Sequence, residues 1–231
     1  MERWTIVLIV LGISIIGFGE IVFSYKNLMV KKNFSIEFIN KYREFGTGLF
    51  QRNLNEELYQ WLRLKCSRMQ TIMGSYGIAS IYQPPFSNVI YKNHQIIVNG
   101  LSEIRKEYSM LDEFGSSLTY RNLEEMVRMI DDCIILYIGA LEDLEQDLIS
   151  EMKNPLVWFR EGMRFIVLLP ISFLHWSGLI NYKTYNKITN NLLVKIITML
   201  ITLIGFISSI IGIIQGYDYL VIIFKKIKEL L

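Results

Sequence analysis

The sequence predicts an all-α membrane protein, with three transmembrane helices and a cytoplasmic helical bundle that contains a long antiparallel helical hairpin. Three observations lead there. Of the 231 residues, 52% are hydrophobic and 20% charged, which is apolar for a water-soluble domain of this size. Three apolar runs approach the ~20 residues that cross a bilayer core. The polar stretch between the first two runs repeats its apolar residues at helical spacing. The chain therefore divides into an N-terminal transmembrane helix (1–25), a cytoplasmic α-helical domain (26–154) and a C-terminal membrane domain (155–231). The last holds two transmembrane helices and a basic cytoplasmic tail.

The first run is Trp4 to Phe23, whose only ionisable residue, Glu20, stands near its end. A cleaved signal peptide would begin with more charge than Glu2-Arg3 and finish on a small-residue site, so this run reads as a retained anchor. The second, Phe165 to Ile180, is short. The flank Trp158-Phe159-Arg160-Glu161-Gly162-Met163-Arg164 extends it with an interfacial Trp and Arg side chains that can snorkel. Pro170 should kink it, and His175 is an ionisable group near its far end. The third run is Leu192 to Ile214. Lys26, Lys31, Lys32, Lys153, Arg160, Arg164, Lys225, Lys226 and Lys228 fall on one side of the predicted membrane. Arg3, Lys183, Lys187 and Lys195 fall on the other. This bias orients a multi-pass protein of an inner (plasma) membrane with its middle domain and C-terminus in the cytoplasm. The unpaired Cys66 and Cys133 then lie in a reducing compartment.

In the middle domain, Ile36, Ile39, Tyr42 and Phe45 keep helical spacing. Asn53 or Asn55 can cap a second helix carrying Leu58, Trp61, Leu62, Met69, Ile72 and Met73, which Gly74-Ser75-Tyr76-Gly77 ends. Tyr82-Gln83-Pro84-Pro85-Phe86 reads as a loop. A third helix is expected after Ser87, with the stripe Ile90, His94, Ile97, Leu101, Ile104, Tyr108 and Leu111. A turn at Gly115-Ser116-Ser117 leads to a fourth, where Asn122 and Glu125 resemble a capping box. Its stripe is Leu123, Met126, Ile130, Cys133, Tyr137, Ala140, Leu144 and Leu148. Two such stripes across a short turn predict the antiparallel hairpin.

Charge is uneven along this domain. Residues 26–92 hold ten Lys/Arg and four Asp/Glu, whereas 93–152 hold four and thirteen. The two halves can attract one another within one bundle. The sharper reading is a basic surface for a nucleotide or oligonucleotide signal, built from Arg52, Arg63, Lys65 and Arg68 beside Tyr59 and Trp61. Towards the membrane, Glu142, Asp143, Glu145, Asp147 and Glu151 cluster without an intervening Lys or Arg. That run is either a solvated helix face or, in an oligomer, an acidic mouth that concentrates cations.

Catalytic motifs are absent. There is no phosphate-binding glycine loop, no H-E-x-x-H and no paired C-x-x-C, and the two histidines, His94 and His175, stand far apart in the sequence. An enzyme is not expected, nor a cofactor or metal. The third run carries the most distinctive pattern: Asn191, Lys195, Thr198, Thr202, Gly205, Ser209, Gly212 and Gly216 recur at alternating four- and three-residue steps. Small and polar side chains on one face permit close helix packing or line a water-filled pore. Thr5, Gly12 and Gly19 suggest another close-packing face on the first helix.

In layout, a few transmembrane helices with a cytosolic sensing domain, the chain resembles small bacterial membrane effectors of anti-phage defence, the Hailong-type channel effectors among them. Asn154-Pro155-Leu156-Val157-Trp158-Phe159-Arg160-Glu161-Gly162 has the look of a family signature. The resemblance covers the whole chain loosely and transfers no functional residue. It implies effectors that permeabilise the membrane when triggered. The expectation is a homo-oligomeric channel gated by its cytoplasmic domain. The alternative is a non-conducting anchor or receptor subunit that recruits a cytosolic protein partner.

Overall fold

The computed structural model describes residues 3–84, 88–114 and 117–189, and beyond them 191, 192, 196, 199–201, 203–208, 210, 211 and 214. The chain is mostly helical. In order come α1 (Arg3–Phe50), α2 (Glu56–Met73), a 3-10 turn (Gly74–Gly77), β1 (Ile78–Tyr82), β2 (Tyr91–Gln95), α3 (Ile96–Phe114), α4 (Ser117–Met152), α5 (Pro155–Trp176) and α6 (Tyr182–Thr189). The chain divides into two units, Asn27–Gln146 and Met1–Lys26 with Asp147–Leu231.

The Asn27–Gln146 unit is a four-helix bundle in which successive helices run antiparallel, as its cross-helix pairs show. Between α1 and α2, Phe45 meets Tyr59 and Phe38 meets Trp61. Between α2 and α3, Glu56 holds Arg105, and Arg63 donates to the Val98 carbonyl. Gly100 of α3 faces Ile130 of α4, each equally distant from the connection at residue 115. Arg43 of α1 grips Asp131 of α4 at 2.7 and 3.0 Å, and Lys32 reaches Glu142 and Glu145. In every pair, residue numbers rise on one helix as they fall on the other. The opposed charges of the two halves thus meet inside one bundle.

The core rests on four stripes. Phe34, Phe38, Tyr42, Phe45 and Leu49 line α1; Leu58, Leu62, Cys66, Met69 and Met73 line α2. Ile97, Leu101, Ile104 and Tyr108 line α3; Leu123, Val127, Ile130, Ile134, Tyr137 and Leu141 line α4. Each such side chain contributes about 1.5–3 kcal/mol on leaving water. The expected stripe on α4 holds at Leu123, Met126, Ile130 and Tyr137, but Ile134 and Leu141 are buried in place of Cys133 and Ala140, and Leu144 is exposed. On α1, Ile36 faces outward and Phe38 inward. A 3.6-residue helix admits two neighbouring tracks when both are apolar, and only packing selects between them.

Two local expectations are corrected. The connection from α2 to α3 is a two-stranded antiparallel ribbon, with Ile78 opposite Gln95 and Tyr82 opposite Tyr91, so the bundle is not purely helical. α3 therefore begins at Ile96, and Ser87, expected to cap it, lies outside the described residues. β-branched and aromatic residues flanking a proline loop favour strands. α4 begins at Ser117, which puts Asn122 inside the helix rather than at its cap. Asn55 does cap α2, its side chain accepting from the Leu58 amide at 3.0 Å.

The end of α1 shows what Arg52 does locally. Asn53 N–H bonds the Gly48 carbonyl and Arg52 N–H bonds Leu49, which closes the helix in a Schellman motif. Arg52 occupies the left-handed position of that motif, at φ 55°, where glycine is least strained.

In the other unit, α1 and α5 touch backbone to backbone. A Cβ on Gly17 would strike the Trp158 carbonyl and the Gly162 amide, and one on Gly162 would strike the Ile13 carbonyl. Phe18 packs on the Trp158 ring, centroids 4.8 Å apart. Asn154-Pro155 is the physical start of α5: the Asn154 side chain accepts from the Leu156 amide, and Pro155 takes the first turn, where no amide is needed. The expected close-packing face of Gly12 and Gly19 differs: among the described residues a Cβ added at either would meet nothing within 4 Å, and Gly17 makes the close approach.

Among the described residues, one helix is long and apolar enough to cross a membrane, the Val7–Phe50 portion of α1. α5 carries Arg160, Glu161 and Arg164 in its first turns and ends at Trp176, short of the expected Ile180. A further apolar helix, Met199–Ser208, is short.

The glycine contact yields a paired prediction. Gly162→Ala should lower stability by about 1–3 kcal/mol, because backbone atoms cannot retreat as side chains do. Gly12→Ala should be neutral or stabilising by up to ~1 kcal/mol, through helix propensity alone. Thermal unfolding in detergent followed by circular dichroism separates the two. Equal melting temperatures for both variants would exclude the contact.

Candidate functional site

The basic candidates lie on α2 and in the turn that precedes it, and two of them make contacts with neighbouring helices. Arg63 is engaged with the Val98 carbonyl at 3.0 Å. The Arg68 guanidinium lies 4.1 Å above the Phe34 ring, a cation–π contact between α2 and α1. Arg52 is exposed in the turn after α1, and Lys65 is partly covered on α2. Arg105 and Lys41, not among the candidates, lie over Tyr59 and Trp61. Two of the four candidate cations, Arg63 and Arg68, thus contact a neighbouring helix while remaining exposed.

The acidic run is likewise divided. Lys32 bonds Glu145 at 2.7 Å and lies 3.3 Å from Glu142. The Glu145 hydrogen bond, partly opposed by desolvation, raises the Lys32 pKa. Arg160 holds Glu151 at 2.9 Å and Glu161 at 2.8 Å. Asp143 and Asp147 are exposed. These lysine and arginine partners were invisible in the run itself because they come from α1 and α5.

Of the small-polar stripe, Gly205 is described. A Cβ added there would come into ordinary contact with the side chains of Met163 and Phe159 of α5, so the position has room for a small side chain. Lys195, Thr198, Thr202, Ser209 and Gly212 lie outside the described residues.

A polar cluster that the sequence reading missed sits where the ribbon meets α3. Gln70 is buried and bridges two backbones: its amide donates to the Gly77 carbonyl at 2.7 Å, and its oxygen accepts the Ile97 amide at 3.0 Å. It thereby satisfies one of the free amides in the first turn of α3. His94, on β2, is buried and stacked on Tyr82 with centroids 4.2 Å apart. Its Nε2 stands 3.8 Å from Glu103 and makes no hydrogen bond. Tyr82 donates to Glu103 at 3.2 Å. Burial, then the Glu103 charge, pushes the Tyr82 phenol up to about 12. Asn93, at φ 53°, directly precedes His94 in β2. A glutamine in the last turn of a helix and a histidine in a strand give no periodic signal, so only the fold brings them together.

Among the described residues, no three His, Cys, Asp or Glu side chains converge as a metal site. Cys66 is buried, and burial raises the Cys133 thiol, which keeps it protonated.

The most extensive feature is the exterior of the unit that contains α5. Leu8, Leu11, Ile15, Phe23, Leu169, Phe173, Trp176, Leu179, Met199, Leu203, Ile204 and Ile211 are all exposed, against a short buried set of Gly17, Ile21, Phe159 and Gly162. In the bundle unit the relation is reversed, with its large apolar side chains mostly inside. An apolar exterior of this extent marks contact with lipid or protein rather than water.

Two substitutions test the local readings. Gln70→Ala should cost about 1–3 kcal/mol for each backbone group it orphans, and exchange of the Ile97 amide should accelerate more than that of neighbouring amides. Arg52→Gly should stabilise by about 0.5–1 kcal/mol, by removing left-handed strain. Urea unfolding measures both, and a loss of stability in Arg52→Gly would show that the side chain does more than occupy the turn.

No protein-family model, curated protein or solved structure matches this chain.

Proposed function

We propose that the protein is a homo-oligomeric channel of a bacterial inner membrane, in which the Asn27–Gln146 bundle serves as the cytoplasmic gate. The supporting observation is the apolar exterior of the α5-containing unit, including exposed Leu11, Ile15, Leu169, Phe173, Ile204 and Ile211. In this reading three segments cross the bilayer: the start of α1, then α5, then the run Leu192 to Ile214. α5 has 22 residues, which rise about 33 Å at ~1.5 Å each, a length that includes the charged first turns at the headgroups. Its Arg160, Glu161 and Arg164 lie in the first three turns, where long side chains reach towards the headgroups. The backbone approach of α1 to α5 at Gly17 and Gly162 supports a membrane domain that is tightly packed when closed. A role in antiviral defence extends the architectural resemblance to membrane effectors.

The second reading, a membrane anchor that recruits a partner, is favoured by the ribbon. Ile78, Ile81, Val89, Ile90 and Tyr91 are exposed there, and a two-stranded ribbon leaves two unpaired edges.

Purified protein in planar bilayers should pass current once triggered by extract of phage-infected cells. Silence under all such conditions, from protein that inserts correctly, would oppose the channel. Replacing the membrane segments with unrelated ones should abolish channel function but leave a recruiter active. Reporter fusions after residues 120 and 231 should report cytoplasm, and one at 186 the outside. A fusion after residue 120 that reports outside would overturn the orientation.

A further inference from the structure

We propose that the corner between α5 and α6 is an interfacial anchor that binds anionic phospholipid headgroups through Lys183 and Lys187. The inference rests on the membrane-spanning reading of α5 and adds a lipid partner and two binding residues to it. α5 stops at Trp176, and Gly178, at φ 78°, turns the chain. The amides of Leu179 and Ile180 both bond back to the Leu174 carbonyl. Asn181 caps α6, accepting from the Thr184 amide at 2.8 Å. The His175 ring then packs against Tyr185 at 4.8 Å and Tyr182 at 6.1 Å, which pins α6 to the end of α5.

The corner so fixed has two kinds of exposed surface. Trp176 is 81% exposed, Leu179 73% and Tyr182 67%. Large apolar and amphipathic side chains this open to solvent are costly in water and suited to the headgroup boundary. Lys183 and Lys187 are also exposed and stand one helical turn apart, on the same side of α6. No Asp or Glu occurs between Glu161 and Asp218. The lysines thus have no acid in the surrounding sequence to neutralise them. Charge complementarity selects an anionic headgroup over a zwitterionic one, and the adjoining apolar helix gives continuity with the bilayer.

The test uses the full chain in proteoliposomes whose lipids are brominated at shallow or deep acyl positions. Emission quenched by shallow bromines should fall when Trp176→Phe is introduced. Brominated phosphatidylglycerol should quench Trp176 more strongly than brominated phosphatidylcholine. In Lys183→Gln/Lys187→Gln that preference should shrink by about fivefold per lysine removed. Equal quenching by the two lipids in the native protein, or a preference unchanged in the double variant, overturns the headgroup site. Flotation of the vesicles separates the levels. Protein that does not float with lipid defeats the membrane reading itself, whereas protein that floats with Trp176 unquenched defeats only the anchor.

Discussion

Backbone contact between Gly17 and Gly162 is the constraint on which the α5-containing unit depends. Among the described residues few side chains there are buried, so the apolar area they remove from water is small. In lipid that source of stability is absent altogether, and helices associate by close van der Waals packing. Two glycines at the crossing let α1 and α5 approach closely, and Phe18 on Trp158 adds an aromatic contact beside it. At Gly205 of the apolar helix Met199–Ser208 the approach is looser: an added Cβ would meet only the side chains of Met163 and Phe159, at ordinary contact distance.

The bundle unit follows the opposite rule. Its four stripes exclude water, and its polar groups are tied across helices: Tyr42 donates to the Val127 carbonyl in the core, Arg43 forks onto Asp131, and Gln70 joins the ribbon to α3. α1 changes from one regime to the other along its length, with exposed Leu11 and Ile15 near its start and buried Phe38 and Tyr42 further on.

The helical nature of the chain was legible because its apolar residues recur at helical spacing over long stretches. The Asn55 cap, the stop at Gly74 and the loop at Pro84 were legible for local reasons: each depends on one residue's own backbone preference. The ribbon was not, since His94 continues the apolar track of Ile97 and Leu101 and so masks the change of period at residue 95. The exchange of Gly12 and Gly19 for Gly17 has a similar cause. A helix with glycines on several faces does not declare which face meets a neighbour. The partners of Arg63, Arg68, Glu145 and Glu151 come from other helices, and no reading of local charge could supply them.

Nitroxide scanning along residues 8–23 of α1, with the protein in lipid, tests the central claim most directly. The account predicts high oxygen and low nickel-chelate accessibility at Leu8, Leu11 and Ile15, with both low at Gly17 and Ile21, where α1 is covered. Nickel accessibility exceeding that of oxygen at Leu11 and Ile15 would place this face in water and contradict the account.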